Sequence, residues 1–286
     1  MANYEVVSKL DEANAPVLIV SFEDWVDAGR AGTTAARHIA EGGELVATFD
    51  SDSIYDYRSH RPVLDIVDGT PKQFTWPDMV LIRRRYGDRD LFVLTGPEPD
   101  YRWREFANDL LELALRIGII EHLSLGAIPA AVPHTAPTPV MTTASSKELV
   151  RETNVPEGLL RVPAAAVSLV EWTLAENGIP AVGFWAQVPH YAMPYAPGAI
   201  ALVRRVEDHL GVTIGAGSLE QEAETQRKSL DELFSANEDA TEYLQRLEGL
   251  VGEQEVPPAE NIAAEVERFL RGQRGDEGPT PFSPPR

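Results

Sequence analysis

PVLIVSFEDWVDAGRAG, residues 16–32, is the stretch on which the fold turns. Residues 17–22 form a short, nearly continuous apolar run, the mark of a strand buried on both faces. A loop and a helix start follow. In many α/β proteins that junction cradles phosphate, with backbone N–H groups aimed at an anion on a helix N-terminus. Here the loop carries Glu23, Asp24 and Asp27. Only Gly29 and Gly32 offer close backbone approach, and neither G-x-G-x-x-G nor G-x-x-x-x-G-K-[ST] occurs. Three carboxylates would oppose a phosphate. Asp27 can take the anion's place itself, as an N-cap accepting backbone N–H bonds. The other acids, with Trp25, can line a pocket that prefers a neutral or cationic ligand.

Outward from this junction, strands and helices alternate. A helix is predicted over 28–41, with Ala31, Ala35 and Ile39 on one side, then a strand over 44–49. Residues 51–89 break the pattern. DIVDG (65–69) and QFTWPDMVLIRRRYGDRD (73–90) are short strands cut by Gly, Pro and Asp turns, which predicts inserted hairpins. The alternation resumes with strands over 91–96, 122–127 and 181–188. Helices are predicted over 103–118, 164–178 and 198–211, the first with apolar positions 106, 110, 113 and 117 and a stop at Gly118. Such alternation predicts an α/β fold, a three-layer α/β/α sandwich.

The last part changes character. Residues 219–271 read as two helical stretches split by VPP (256–258), the first ending at Val251 and Gly252. Leu230, Leu233, Phe234, Leu244, Leu247 and Leu250 give that first stretch an apolar stripe, whose default use is packing on the main domain. Residues 273–286 are rich in Pro and Gly and are expected to be disordered. The expected organisation is a core over 1–217 with a hairpin insertion at about 51–89, a C-terminal helical lid over 218–272, and a tail.

Composition narrows the function classes. With 43% hydrophobic residues, a 286-residue chain can bury a sizeable core. The net charge of −20 repels nucleic acid and anionic membrane, because phosphate binding depends on Lys and Arg displacing counterions. The chain has no cysteine, which excludes disulfides, thiolate nucleophiles and zinc-thiolate sites. MANYEVVSKLDEANAP lacks the basic and apolar segments of a leader, and no stretch approaches 18 uninterrupted apolar residues. The expectation is a cytoplasmic protein with neither a nucleic-acid nor a membrane partner.

Candidate chemistry sits in the loops after strands, which share one rim of an open parallel sheet. The loop after 91–96 carries Glu98, Tyr101 and Trp103. VPHTA carries His134 and Thr135, and VPHYA echoes it with His190 and Tyr191. With Glu23, Asp24, Trp25, Asp27 and Gly29 these make a candidate rim pocket. Each has a plainer use: Glu98, between two prolines, can hydrogen-bond loop backbone, and each histidine, following a proline, can brace a rigid loop. No His pair has H-x-x-x-H spacing and no G-x-S-x-G elbow occurs, so neither a metal, a cofactor nor a serine triad is expected.

The segments PVLIVSFEDWVDAG, YDYRSHRP, WPDMVLI, LTGPEPDYRWREF, LGAIPAAVPHTAPTPV and VPHYAMPYAPGAIALV, in that order, resemble the proteasome assembly chaperone 2 family, in its actinobacterial branch. The resemblance covers about residues 4–250. It implies a phosphorylase/hydrolase-like core, a hairpin insertion used in oligomerisation, a helical lid over a pocket, and self-association as a homotrimer. It implies no particular reaction. The chain departs from the family pattern at Ala136, where many members carry arginine, and at VPEGLLRVP (155–163), where many have a Gly-rich stretch. Anion binding through those groups therefore does not carry over. Two function classes stand: a binding or assembly-type protein with a small-ligand pocket under the lid, or a small-molecule hydrolase or nucleoside-phosphorylase-like enzyme using the acids and histidines of the rim.

Overall fold

In the computed structural model, residues 3–8, 10, 12–150, 155–156 and 158–251 are described. Strand β2 (Val17–Phe22) lies inside the main sheet, and all six of its residues are buried. Its neighbours are β7 (Arg89–Gly96) and β8 (Glu121–Ala130), both parallel to it, and β10 (Ala181–Pro189) runs parallel to β8. Antiparallel strands extend both sides. Beyond β7 lie β6 (Val80–Tyr86), β3 (Glu44–Phe49) and β1 (Tyr4–Val6), and beyond β10 lies β9 (Val140–Ala144). The eight-stranded mixed sheet has the order β1-β3-β6-β7-β2-β8-β10-β9.

The alternation of β2 feeds two cores. Val17 and Ile19 join a cluster with α1 (Ala31–Ala40) and α5 (Ala196–Leu210). Leu18, Val20 and Phe22 join another with α3 (Trp103–Ile117) and α4 (Ala166–Glu176). Helix α1 is built largely of small residues on its buried side, so it lies close to both the sheet and α5. Its start departs from the helix predicted over 28–41. Residues 28–30 form a 3-10 turn in which Gly29 has φ 61° and Arg30 φ 54°. A Cβ on Gly29 would also come within 2.8 Å of the Tyr195 Cβ, so both backbone and space require glycine.

The segment 51–89 contains two hairpins with different fates. After the short helix α2 (Ser51–Ile54), β4 (Val63–Val67) and β5 (Thr70–Thr75) form a separate two-stranded sheet, every residue of which is exposed. The second hairpin, β6–β7, belongs to the main sheet instead of lying between parallel units. Two of its arginines are held by Asp90, 1% exposed, which accepts from Arg83, Arg85 and the Asn14 N–H. Strand β9 follows directly on TAPTP (135–139), which reads as loop, and is not among the predicted strands.

The first C-terminal stretch is two helices, α6 (Leu219–Ser235) and α7 (Glu238–Val251). They separate at Asn237, whose Oδ1 accepts from the Asp239 and Ala240 N–H groups at 3.0 and 3.3 Å. Phe234 and Leu247 are buried, but Leu233 and Leu250 are 64% and 51% exposed, so the stripe does not bury as one face. The stretch expected after VPP and the tail 273–286 lie outside the described residues. Seven α-helices are present among the described residues, and none is long and apolar enough to cross a membrane.

Two glycines give opposite expectations. A Cβ on Gly32 would lie 2.9 Å from Ser21 Oγ, 3.0 Å from Asp27 Oδ1 and 3.0 Å from Gly126 Cα, on neighbours fixed by the sheet. Gly32→Ala should lose about 1–3 kcal/mol in urea denaturation. Gly249, in α7 with no atom within 4 Å of such a Cβ, should gain about 0.5–1 kcal/mol on the same change where α7 unfolds with the core.

Candidate functional site

The opening loop leaves β2 at the carboxyl ends of the parallel strands. Asp27 is buried, and its Oδ1 accepts from the Gly32 and Thr33 N–H groups at 2.7 and 3.1 Å. The Thr33 hydroxyl donates to its Oδ2. Its backbone bridges to Ala127 of β8. The positive end of α1 is thus satisfied from within the chain. Burial pushes the Asp27 carboxyl up to about 6, against the hydrogen bonds from Thr33 and Gly32 that lower it.

Asp24 turns the chain with φ 80°, a left-handed conformation that costs a non-glycine residue about 1 kcal/mol. Its carboxylate reaches His60. His60 Nε2 is 3.0 Å from Asp24 Oδ2, and Nδ1 is 2.8 Å from Asp100 Oδ2. With a carboxylate on each nitrogen, the imidazole donates twice, which is the protonated form. Burial works against that charge, but the bonds to Asp24 and Asp100 outweigh it and raise the His60 pKa. Asp100 also accepts from the Asp56 N–H at 2.7 Å, and Tyr101, itself exposed, donates to Asp56 Oδ2 at 2.9 Å.

Glu98 faces the same group. Its Oε1 accepts from the Ala166 N–H at 2.6 Å, at the start of α4. Burial, with Asp24 and Asp100 nearby, raises its pKa to about 7. A carboxyl poised near neutrality beside an imidazolium can hold or pass a proton. Trp103 starts α3 and donates from Nε1 to the Pro99 carbonyl, fixing the loop that carries Glu98 and Asp100. Glu23 pairs outward with Arg37 of α1. Trp25 packs against the α3–α4 core.

The other predicted residues form a second group, with Tyr191 packed on the α1–α5 core. His134 is buried, and both its nitrogens are engaged. The Tyr191 hydroxyl accepts from the His134 backbone N–H at 3.1 Å and lies 2.9 Å from Nδ1, and Nε2 is 3.2 Å from Asp231 Oδ1 on α6. The Tyr191 hydroxyl and the Asp231 carboxylate thus occupy both ring nitrogens, and the imidazole is satisfied. Phe234 packs on Tyr191 and His134, and Thr135 donates to Glu248 of α7 at 2.6 Å. His190 is exposed, edge-on to Tyr191 and Tyr243. The rim therefore divides. His134, Thr135, His190 and Tyr191 receive α6 and α7, while the histidine that joins the acids is His60.

His60 was missed because it lies beyond the short helix α2, in the loop that leaves the rim end of β3, and that loop runs on into the inserted hairpin. YDYRSHRP did carry it, as an aromatic- and charge-rich loop just before the inserted hairpin. Among the described residues, no group of three or more His, Asp or Glu is arranged to hold a metal ion.

Comparison with known proteins settles the lineage. The PAC2 family model matches residues 21–234. The chain belongs to the PAC2 family. A Mycobacterium tuberculosis protein of unknown function is 30% identical, with TM-score 0.85, over 94% of this chain and 96% of its own. A M. tuberculosis proteasome-assembly chaperone homologue is 34% identical, with TM-score 0.74, over 80% of this chain and 99% of its own. A PAC2 family protein from Streptomyces avermitilis is 35% identical, with TM-score 0.72, over 80% and 99%. No curated protein matches. The PAC2 match begins at the end of β2 and includes the opening loop, His60, Glu98 and most of α6.

Two measurements test the acid group of this PAC2 chain. Asp24→Asn should lower the His60 pKa in an NMR titration, since it removes one of two raising partners; an unchanged value would refute the pairing. For Glu98, the folded pKa of about 7 exceeds the ordinary 4.5, so stability falls as pH rises between those values. Glu98→Gln keeps an acceptor for Ala166 and loses the buried charge. It should therefore be more stable than the parent at pH 8, by about 1–3 kcal/mol, and show little gain at pH 5.

Proposed function

We propose that this protein is a self-associating binding or assembly-type protein, working in the cytoplasm as a closed homotrimer, with the β4–β5 arm as its contact surface. The observation that carries the reading is the arm itself. Val63, Ile66, Val67 and Phe74 are each more than half exposed, and Leu64 and Trp76 are 38% and 46% exposed. A lone two-stranded hairpin is marginal in water, and this one pairs with no other strand among the described residues. Apolar side chains on both its faces, with open edges, are supplied with a partner most directly by another copy of the chain. Arm-to-body contacts are heterologous, and such contacts make a finite particle only when the rotation closes. An assembly role draws further support from the M. tuberculosis relative named a proteasome-assembly chaperone homologue.

In this reading the core spans residues 1–217 as a phosphorylase/hydrolase-like three-layer sandwich, the insertion at about 51–89 projects the arm, and the lid begins at residue 218. The small-ligand pocket of the rim is the acid group around His60, beside the base of the arm. That base is braced by Tyr57 against Trp76, with ring centroids 4.9 Å apart.

Light scattering at micromolar concentration should give three times the monomer mass. Val63→Asp with Ile66→Asp should give the monomer, with a thermal midpoint that no longer depends on concentration. A monomeric parent protein, or an unchanged mass for the double variant, would overturn the proposal.

A further inference from the structure

A cavity of about 420 Å³ lies on the α4 side of the sheet, apart from both rim groups. Three indoles line it: Trp25 from the opening loop, Trp172 on α4 and Trp185 on β10. Met141 of β9 with Leu160 and Val162 of the link to α4 complete the apolar walls. The charged residues on the lining are Glu171 and Glu176; no Lys, Arg or His is among the described lining residues. The volume falls within the range of small-molecule sites, whose walls are mostly apolar with a few placed polar groups.

Glu171 is the placed group. Ser124 Oγ donates to its Oε2 at 3.2 Å, and Ser124 Oγ lies 2.9 Å from His122 Nε2. Ser124 and His122 are both fully buried. Burial holds the His122 pKa down to about 3, so this imidazole is neutral and supplies no counter-charge to the carboxyl in front of it. The same exclusion of water raises the Glu171 pKa above its ordinary value, against the Ser124 hydrogen bond. The carboxyl therefore stands at an apolar cavity, positioned from behind by a hydroxyl and an imidazole, with no cationic partner among the described residues. Trp185 Nε1 already donates to Thr143 Oγ1 at 2.9 Å, which leaves its ring to act through its face and edge.

We propose that this cavity binds a small organic cation with an apolar body, its ammonium head placed against Glu171 and the indoles of Trp172 and Trp25. A carboxylate supplies the opposite charge, and indole faces attract cations through the ring quadrupole, most strongly where water is excluded. An anionic ligand finds no cationic side chain among the described lining residues. A neutral ligand gains the apolar walls alone. The site is independent of the arm and of the acid group around His60, so it can exist whether or not the chain assembles through its hairpin.

The test uses the full-length protein at pH 8 and three probes of equal chain length: octyltrimethylammonium, 1-octanol and octanesulfonate. Binding is read by calorimetry and by tryptophan fluorescence. The cation should bind about ten-fold or more tighter than the alcohol, with the sulfonate weakest. Glu171→Gln retains an acceptor for Ser124 and should bring cation and alcohol to within about two-fold. Trp172→Leu, at a position 67% exposed and so tolerant of change, should weaken the cation more than the alcohol. Equal affinity for cation and alcohol, an undiminished preference in folded Glu171→Gln, or no binding of any probe would each overturn the proposal.

Discussion

The carboxylate of Asp27 closes the N-terminal end of α1 from within, accepting from Gly32 and Thr33 while the Asp27 backbone bridges to Ala127 of β8. A helix start leaves N–H groups without intrahelical partners, and here they are buried against the sheet. Replacing them with free donors would cost about 1–3 kcal/mol apiece. The bond also forecloses the chemistry that this junction supports elsewhere. An anion would have to displace a buried carboxylate from two backbone donors and a threonine hydroxyl. The fold has thus converted the place where α/β proteins hold phosphate into a joint, and chemistry is left to the flanks of the loop.

Those flanks reach three different places. Asp24 turns to His60 and the acids. Trp25 lines the cavity beside α4. Gly29 accepts from the Tyr195 N–H at 2.8 Å, and the next residue, Ala196, donates to Gln226 of α6 at 2.7 Å. Because Asp27 pins the middle of the loop to both β8 and α1, the three contacts are set out from one rigid point. This also accounts for the glycines. Gly32 lets the loop approach Gly126 of β8, and Gly29 lets it pass Tyr195.

Much of this was legible in the residues. The parallel strands read clearly because both faces are covered, which leaves runs such as VLIVSF with no polar alternation. Helix α3 read clearly because its apolar spacing and terminal Gly118 agree. The failures share a cause: distant partners. The hairpin that includes RRRYGDRD reads as an insertion until β6 pairs with β3, far earlier in the chain, and so joins the main sheet. Strand β9 is rich in threonine beside prolines, and only pairing with β10 makes it a strand. His60 lies 36 residues from Asp24, beyond α2 in the loop that leaves the rim end of β3, so no local rule joined them. The break between α6 and α7 was different. Asn237 before Glu238 and Asp239 is a local capping signal, and it was there to be read.

The His60 group also bears on the arm mechanically. Only Arg61 and Pro62 separate His60 from the start of β4 at Val63. The chain enters the arm from a residue gripped on both ring nitrogens, and it leaves β5 at Trp76, which packs on Tyr57. An exposed hairpin has no core to orient it, so its direction is set at its base. That base is electrostatic. Asp24, Asp100 and Glu98 would repel one another in a chain already at −20, and the protonated His60 and the raised pKa of Glu98 are what keep them together. As pH rises, Glu98 ionises near 7 and His60 loses its proton above its ordinary range, and both changes add negative charge at one point. A neutral imidazole keeps one N–H, so one of the two carboxylate contacts of His60 is lost and the entry to β4 is held from one ring nitrogen. The hold on the entry to the arm is in this way tied to the protonation of a group at the sheet rim.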